Sequence, residues 1–257
     1  MIIKGNLEQI HENSLVGFDA EWTKNYKIKN GNIPFCFSIV TIKKDDLSIS
    51  NLKEGKIKFN YIQYYCQERE EFAKLVHMAD DWSKKILCCL KTCVLCGHQI
   101  SSDFSVINNI GIAYDIQPMT SLEALRSEWR NRKNYTTLHI FDTRYDINRD
   151  FLGKSRRLVD MCNDFWLDVN QPELGNSSMT KLHNTFLSTK NKDICERISV
   201  MNLRHSFSAI VLYWLDERIN SAKGRQKINI NKSIYNSLSC DFNWTRSKTF
   251  QNLLDNN

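Results

Sequence analysis

The clearest strand pattern in the sequence is SLVGFDAEW at residues 14–22. It begins as an apolar run and ends with two carboxylates, Asp19 and Glu21. Because successive side chains of a strand point to opposite faces, these two acids share one face. Two acids so close on a buried strand repel each other, and a cation beside them relieves the repulsion. Such oxygen ligands suit Mg²⁺ or Mn²⁺, whereas a solvated strand end with two acids is the other interpretation.

The segments around this strand predict an α/β protein. Runs of β-branched and aromatic residues predict further strands at 34–42, 56–66, 93–96 and 138–142. Apolar residues at three- and four-residue steps predict helices at 68–87, 157–166 and 200–220. This order predicts a mixed β-sheet flanked by helices in a single domain.

The composition is that of an ordinary globular protein. The chain has 257 residues, 42% of them hydrophobic, and a formal net charge of +6. These values exclude an acidic disordered chain or a collagen-like one, and they permit a polyanionic partner without requiring it. There is no apolar run of spanning length and no secretory signal, so we expect no membrane partner. The nine cysteines form an odd set, which predicts reduced thiols in an intracellular protein, cytoplasmic or nuclear.

Two polar segments interrupt this pattern. Residues 168–199 are rich in Asn, Ser, Thr and Lys, and we expect a long loop or a short helical insertion there. Residues 221–257 contain the polar stretch KGRQKININK at 223–232 and many Asn, which predicts a loosely ordered C-terminal extension after a domain over residues 1–220. The alternative for the extension is a final hairpin or helix docked on the domain.

A second acidic position follows the strand predicted at 93–96. The segment GHQISSDFSVINNIGI at 97–112 places Asp103 at the start of a predicted helix. Alone, such an Asp is typical of a helix N-cap. Together with Asp19 and Glu21, it becomes a candidate third metal ligand.

The quoted stretches together resemble a known enzyme family. VGFDAEW at 16–22 and GHQISSDFSVINNIGI at 97–112 resemble the first two motifs of the DEDD superfamily of 3′–5′ exonucleases, closest to the Werner-exonuclease and RNase-D-like group. IFDTRYD at 140–146 and RRLVDMCNDF at 156–165 are similar to the segments between its second and third motifs. The resemblance covers about residues 12–218 and implies an RNase-H-like fold.

The resemblance also implies a chemistry. In the family, four carboxylates hold two divalent cations, and Asp19, Glu21 and Asp103 match three of them. The cations, Mg²⁺ or Mn²⁺, stabilise the attacking and leaving oxygens at a 3′-terminal phosphodiester. A Tyr or His near the fourth carboxylate orients or deprotonates the attacking water.

The third motif departs from the family pattern. Registering Leu212 and Tyr213 on the family's Leu-Tyr-like pair places His205 at the position of the fourth carboxylate. Two other registers place Ile210 or Ser208 there, and no register supplies both the carboxylate and its Tyr or His partner.

His205 is nevertheless a candidate catalytic residue. It is the ionisable member of a helical stripe that we expect to face Asp19 and Glu21; the stripe is Met201, His205, Ser208 and Leu212. Four roles stay open: ligand in a Mn²⁺-tolerant site, acid or base, direct partner of the carboxylates without metal, or hydrogen-bonded core histidine.

Two other patterns are less specific. Basic residues with interleaved aromatics, at 126–135 and 144–157, fit either a phosphate-binding surface or a salt-bridged solvated face. Cys93 and Cys96 have the spacing of half a structural zinc site, but buried free thiols share that spacing.

Two function hypotheses follow. The first is a 3′–5′ exonuclease acting on RNA or single-stranded DNA, whose activity the altered third motif is expected to weaken. The second is a catalytically degenerate exonuclease fold that acts as an adapter binding nucleic acid or a protein partner.

Overall fold

The structure is a computed structural model of the chain. It describes residues 1–24, 31–116, 119–134, 139–147, 156–168, 170–218 and 227–255.

A six-stranded mixed sheet lies at the centre of the fold. Its strands are β1 (Ile2–Gly5), β2 (Ser14–Thr23), β3 (Ile33–Lys43), β4 (Asn60–Tyr65), β5 (Val94–Gly97) and β6 (Ile140–Asp142). They lie side by side in the order β1-β4-β3-β2-β5-β6. The first four in this order pair antiparallel, whereas β2, β5 and β6 run parallel. The predicted α/β class with one mixed, RNase-H-like sheet is therefore confirmed.

Helices cover both faces of this sheet. Those described are α1 (Ile49–Glu54), α2 (Phe72–Cys89), α3 (Ile100–Ala113), α4 (Thr120–Asn131), α5 (Thr143–Asp146), α6 (Leu158–Asp164), α7 (Met179–Thr189), α8 (Lys192–Arg218), α9 (Asn231–Leu238) and α10 (Lys248–Leu254). A small parallel pair, β7 (Leu167–Asp168) and β8 (Ile228–Asn229), lies apart from the sheet. Within the described residues, no helix has the length and apolar character needed to cross a membrane.

Strand β2 separates the two faces by its alternation. Val16 and Phe18 pack in one core with residues of α2, α3 and α4, whereas Leu15 packs in a second core with residues of α8. Gly17 also faces α8. A Cβ there would lie 2.2 Å from the backbone oxygen of Ser206, so glycine allows α8 to lie directly on the strand.

Helix α2 matches the helix predicted at 68–87. A 3₁₀ turn at Arg69–Glu71 precedes it, and Glu68 and Glu71 form a capping box at its start. Of the predicted apolar face, Leu75, Val76, Ala79 and Trp82 are buried and Phe72 is half-buried; Ile86 extends the buried face.

Two predicted boundaries are corrected. The strand predicted at 56–66 is confined to Asn60–Tyr65, because pairing with β3 begins only at Asn60, opposite Thr41. The polar segment 168–199 contains all of α7 and the first turns of α8, which the sequence pattern placed at residue 200. The buried face of α7 has only three residues, Leu182, His183 and Phe186, so its periodic signal is weak.

The prediction of a loosely ordered C-terminal extension is wrong for residues 227–255. β8 pairs with β7, and Ile234 and Phe250 lie in the same core as Phe207 of α8. The apolar residues are spaced among Asn, Lys and Ser, which hides them in the sequence. Residues 227–255 therefore match the alternative interpretation, in which the C-terminal segment docks on the domain.

A buried ion pair adds to this docking. The Arg204 guanidinium donates two hydrogen bonds of 2.7 Å to Glu173, and neither side chain is more than 1% exposed. Its Nε donates to Oδ1 of Asn231 in α9 at 3.1 Å. The pair therefore ties α8 both to the segment before α7 and to the C-terminal helices.

Candidate metal centre

Strand β2 carries Asp19 and Glu21 on the face covered by α8. Asp19 lies opposite Ser38 of β3, whose hydroxyl is 2.8 Å from that of Ser206 on α8. The side chains of Asp19 and Glu21 are only 12% and 15% exposed. Both acids therefore lie on one face of the strand, as predicted, and both are largely shielded from water.

Helix α8 brings His205 to these acids. Its Nδ1 is 3.4 Å from Oδ2 of Asp19 and 3.4 Å from Oε1 of Glu21. All three residues offer a ligand atom within 4.8 Å of one another, and no other three His, Cys, Asp or Glu side chains in the described chain converge in this way. His205 therefore stands where a cation shared by the two carboxylates is expected.

Asn202, one helical turn before His205, fixes the orientation of Asp19. Its amide donates to Oδ2 of Asp19 at 2.6 Å and to the backbone oxygen of Asp19 at 3.1 Å. Asn202 was not among the sequence candidates. The signal for it was a polar residue one turn from His205 on an otherwise apolar helix face.

The predicted stripe on α8 is only partly correct. His205 faces the carboxylates, but the hydroxyl of Ser208 interacts with the thiol of Cys162 on α6. Asn202 and Ser206 make the closest contacts with the sheet instead. The reason is that α8 is buried nearly all round, so periodicity does not select one face.

The far side of the His205 ring contacts Gln171. Its Nε2 is 2.8 Å from Nε2 of Gln171. If the amide donates, the ring is neutral and its proton is on Nδ1; if the amide is flipped and accepts, Nε2 carries a proton, and in the charged ring, which Asp19 and Glu21 favour, Nδ1 carries one as well. In both states the Nδ1 proton points at Asp19 and Glu21, so Gln171 positions that proton.

The charges of this group shift one another. Burial raises the pKa of Glu21 to about 7, which the hydrogen bond from His205 opposes and the charge of Asp19 reinforces. Burial alone lowers the pKa of His205, but the charges and hydrogen bonds of Asp19 and Glu21 outweigh it and raise that pKa to about 10. At neutral pH the imidazolium is therefore an internal cation for this pair.

Asp103 lies on α3, close to this group but outside it. The N-cap of α3 is Gln99, in the left-handed conformation, so Asp103 is not the helix cap. It is 3% exposed, and its Oδ2 has no hydrogen-bond partner among the described residues. Burial, followed by the charges of Asp19 and Glu21, raises its pKa well above the usual range.

Asp103 is not a member of the converging trio. Oxygens bound to one Mg²⁺ lie within about 4.2 Å of each other, because each bond is about 2.1 Å. Sharing one ion with Asp19 and Glu21 therefore requires a rotation of the Asp103 side chain.

Two residues at the adjoining strand ends were missed by the sequence analysis. Asp142 ends β6 and accepts hydrogen bonds from the backbone of Gln99 and from the indole of Trp129. Nδ1 of His98 is 2.9 Å from the hydroxyl of Thr143, and burial, with the charges of His205 and Arg144, lowers its pKa to about 4. The carboxyl ends of the parallel strands β5 and β6 were the available signal for both.

The cysteines do not form a metal site in the described chain. All nine are free thiols. Cys93 donates to the backbone oxygen of His11 at 3.1 Å, and Cys96 is fully buried in β5. These environments are those of packed thiols rather than of half a zinc site.

The basic clusters are largely internally paired. Arg126 and Arg130 bind Glu123, and Arg132 forms a buried pair with Asp146 at 2.7 Å. These pairs correspond to the salt-bridged alternative. The predicted cluster residues Arg149, Lys154, Tyr135 and Phe151 lie outside the described residues.

The donor set fits a divalent cation. Carboxylate oxygens suit Mg²⁺ and Mn²⁺, and an imidazole shifts the preference away from Mg²⁺. The partnerless buried oxygen of Asp103 is the second observation in favour, since such oxygens are costly without a partner. Comparisons of the chain with family models, with curated proteins and with solved structures found no match.

Proposed function

We propose that the chain is a divalent-metal-dependent 3′–5′ exonuclease of the DEDD type, acting on RNA or single-stranded DNA, with activity weakened by the histidine at the third motif. The observation that carries this proposal is the acid cluster, which consists of Asp19, Glu21 and Asp103 and has a single imidazole beside it. Burial and the charge of Asp19 raise the pKa of Glu21, and burial with the charges of Asp19 and Glu21 raises the pKa of Asp103. One imidazole is the cation found beside them in the described chain. Ionisation of all three acids together therefore calls for a further cation, because one imidazolium balances only one of their charges.

The roles follow from the contacts. Asp19, Glu21 and Asp103 are the residues that would hold Mg²⁺ or Mn²⁺, which supplies charge stabilisation to a phosphodiester at the 3′ end. Asn202 keeps Oδ2 of Asp19 in a single orientation. His205 holds a proton at Nδ1, directed at the carboxylates, and is the acid or base of the site.

A second function is favoured by one specific observation. Nδ1 of His205 is equally far from both carboxylates, and their charges hold the ring in its protonated form. An imidazolium in this place neutralises the acids without metal. The chain is then a degenerate nuclease fold that binds nucleic acid or a protein partner.

One experiment separates the two functions. The protein is incubated with 5′-labelled single-stranded RNA and DNA in Mg²⁺, Mn²⁺ or EDTA, and binding of the same oligonucleotides is measured in parallel. A metal-dependent ladder that disappears in Asp19→Asn and Asp103→Asn supports the exonuclease. Asp45→Asn, an exposed acid outside the cluster, is the matched control and keeps the ladder.

The remaining outcomes are equally informative. Oligonucleotide binding without a ladder in Mn²⁺ rejects the exonuclease and supports the binding module. A ladder that survives Asp19→Asn identifies a contaminating nuclease. If the protein neither binds nor cleaves the oligonucleotides, both nucleic-acid functions are rejected.

A further inference from the structure

A separate cavity of about 200 Å³ opens beyond the end of β2. It lies between the 3₁₀ turn before α2 and helix α7, and Phe35 of β3 lines it. The next residue, Cys36, contacts Asn202 of α8 on the other face of the sheet. The cavity is therefore on the opposite face of the sheet from Asp19 and Glu21.

His183 of α7 is the buried polar group of this cavity. The side chain is 3% exposed, and its ring stacks on Phe35 with a centroid distance of 3.7 Å and an interplanar angle of 9°. Its Nδ1 is 3.0 Å from the hydroxyl of Tyr65. The ring is thus held rigidly by stacking and by one hydrogen bond.

The tautomer of His183 follows from its neighbours. Burial raises the pKa of Tyr65, so the hydroxyl keeps its proton, and we assign it as the donor because Nδ1 of His183 is its one hydrogen-bond partner among the described residues. Burial, with the charges of Arg69 and Lys190, lowers the pKa of His183 to about 4, so the ring is neutral. A neutral ring that accepts at Nδ1 carries its proton on Nε2.

The Nε2 proton has no acceptor among the described residues. Tyr65, which occupies Nδ1, does not line the cavity, whereas His183 and Phe35 do. The ring edge that remains for the cavity is the one that bears Nε2. This N–H is not one of the fully buried polar atoms that lack a partner, so it is accessible from the cavity and can donate to a bound molecule.

The charges at the cavity favour an anion. Lys24 and Arg69 line it and form no ion pair with any described residue. The acid that lines it, Glu68, is neutralised by Nζ of Lys190 at 2.6 Å. The charge left at the cavity is positive.

The walls are apolar and the space is small. Phe35, Phe72 and Leu187 contribute apolar surface. The volume is below the usual range of about 300–1,000 Å³ for drug-sized ligands, so it suits a body of about one aromatic ring.

We propose that this cavity binds a small carboxylate carrying a planar apolar group, whose anionic oxygen accepts from Nε2 of His183 and faces Arg69. The polar edge selects the charge, and the aromatic walls select the ring. The site is independent of the acid cluster, so Glu21→Gln leaves its binding unchanged.

The test uses benzoate as the probe, with binding measured by ligand-observed NMR and calorimetry at millimolar concentration. His183→Phe keeps the stacked ring but removes the donor, and we expect about tenfold weaker binding. Arg69→Gln is an exposed substitution that leaves the core intact and weakens binding by about threefold. Lys74→Gln, the same charge change on an exposed residue that does not line the cavity, leaves binding unchanged.

Two further probes separate the parts of the proposal. Benzamide has the ring without the charge, and inorganic phosphate has the charge without the ring, so both bind more weakly than benzoate. Equal binding of either one overturns the proposal, as does undetectable benzoate binding. If His183→Phe fails to fold by circular dichroism, the comparison of Arg69→Gln with Lys74→Gln decides the result.

Discussion

Replacing His205 by glutamine tests whether the imidazolium acts as the internal cation of the acid cluster. Asp19 and Glu21 raise the pKa of His205 from 6.5 to about 10. Each pKa unit corresponds to about 1.4 kcal/mol, so these contacts favour the charged ring by at most about 5 kcal/mol. Glutamine keeps a hydrogen-bonding side chain but removes the charge. We expect a loss of about 3–4 kcal/mol in the free energy of unfolding near pH 7.

The contribution of His205 to the free energy of unfolding decreases as the pH rises. A raised histidine pKa contributes stability that is complete below 6.5 and is lost as the pH rises through about 10. The raised pKa of Glu21 also makes stability fall with rising pH, but between 4.5 and about 7. Between pH 7 and pH 10 the difference between the wild type and His205→Gln therefore reports on His205, because the raised pKa of Asp103 affects both proteins.

The assay is urea unfolding of the wild type and His205→Gln between pH 6.5 and 10.5, without divalent metal. The difference in unfolding free energy is expected to shrink toward zero at the upper end. His98→Gln is the matched control: burial keeps His98 neutral across this range, so its difference stays constant. A pH-independent difference for His205→Gln refutes the internal-cation argument.

A Mn²⁺ titration of the same variant separates the two roles of His205. As a competing cation, His205 opposes the metal, and glutamine strengthens Mn²⁺ binding. As a ligand, it contributes to the metal site, and glutamine weakens Mn²⁺ binding. Unchanged affinity means that no ion binds beside Asp19 and Glu21.

Three further predictions concern the packing around the cluster. Glu173→Gln leaves the buried Arg204 guanidinium without its counter-charge and costs about 3–5 kcal/mol in urea unfolding, whereas a cost below about 1 kcal/mol contradicts the buried pair. Gly17→Ala places a methyl group against the Ser206 backbone and lowers stability by about 3 kcal/mol, measured by thermal unfolding; a neutral effect means that α8 does not lie on β2 as described. Asp103→Asn removes a buried acid with an unpartnered oxygen, so in EDTA above pH 7 we expect it to raise the free energy of unfolding by about 1–3 kcal/mol. The same substitution is expected to abolish stabilisation of the protein by Mn²⁺. Destabilisation in EDTA argues against a strained carboxylate.

The acid cluster resembles two different kinds of site, and their energetics differ in one respect. A metal site needs its acids ionised and accessible to the ion. An internal imidazolium instead lowers the negative charge and competes for the same oxygens. The Nδ1 proton of His205 is directed at those oxygens in both ring states, so binding of a cation there displaces or redirects that proton. Metal affinity is therefore expected to rise with pH.

Local periodicity in the sequence predicted the longer strands of the sheet and the buried face of α2, but not the short strands β1, β7 and β8. Alternation along residues 14–22 placed Asp19 and Glu21 together, and three- and four-residue spacing predicted α2. These signals are readable because each depends on residues that are neighbours in the chain.

Which distant groups contact Asp19 and Glu21 depends on the packing of the helices against the sheet. Helix α8 is apolar nearly all round, so its pattern could not show that His205 and Asn202 face β2 while Ser208 faces α6. Packing sets that rotation, through the close approach that Gly17 permits. The docking of residues 227–255 is likewise long-range, because a few apolar side chains among polar ones gain stability only against a core that the rest of the chain builds.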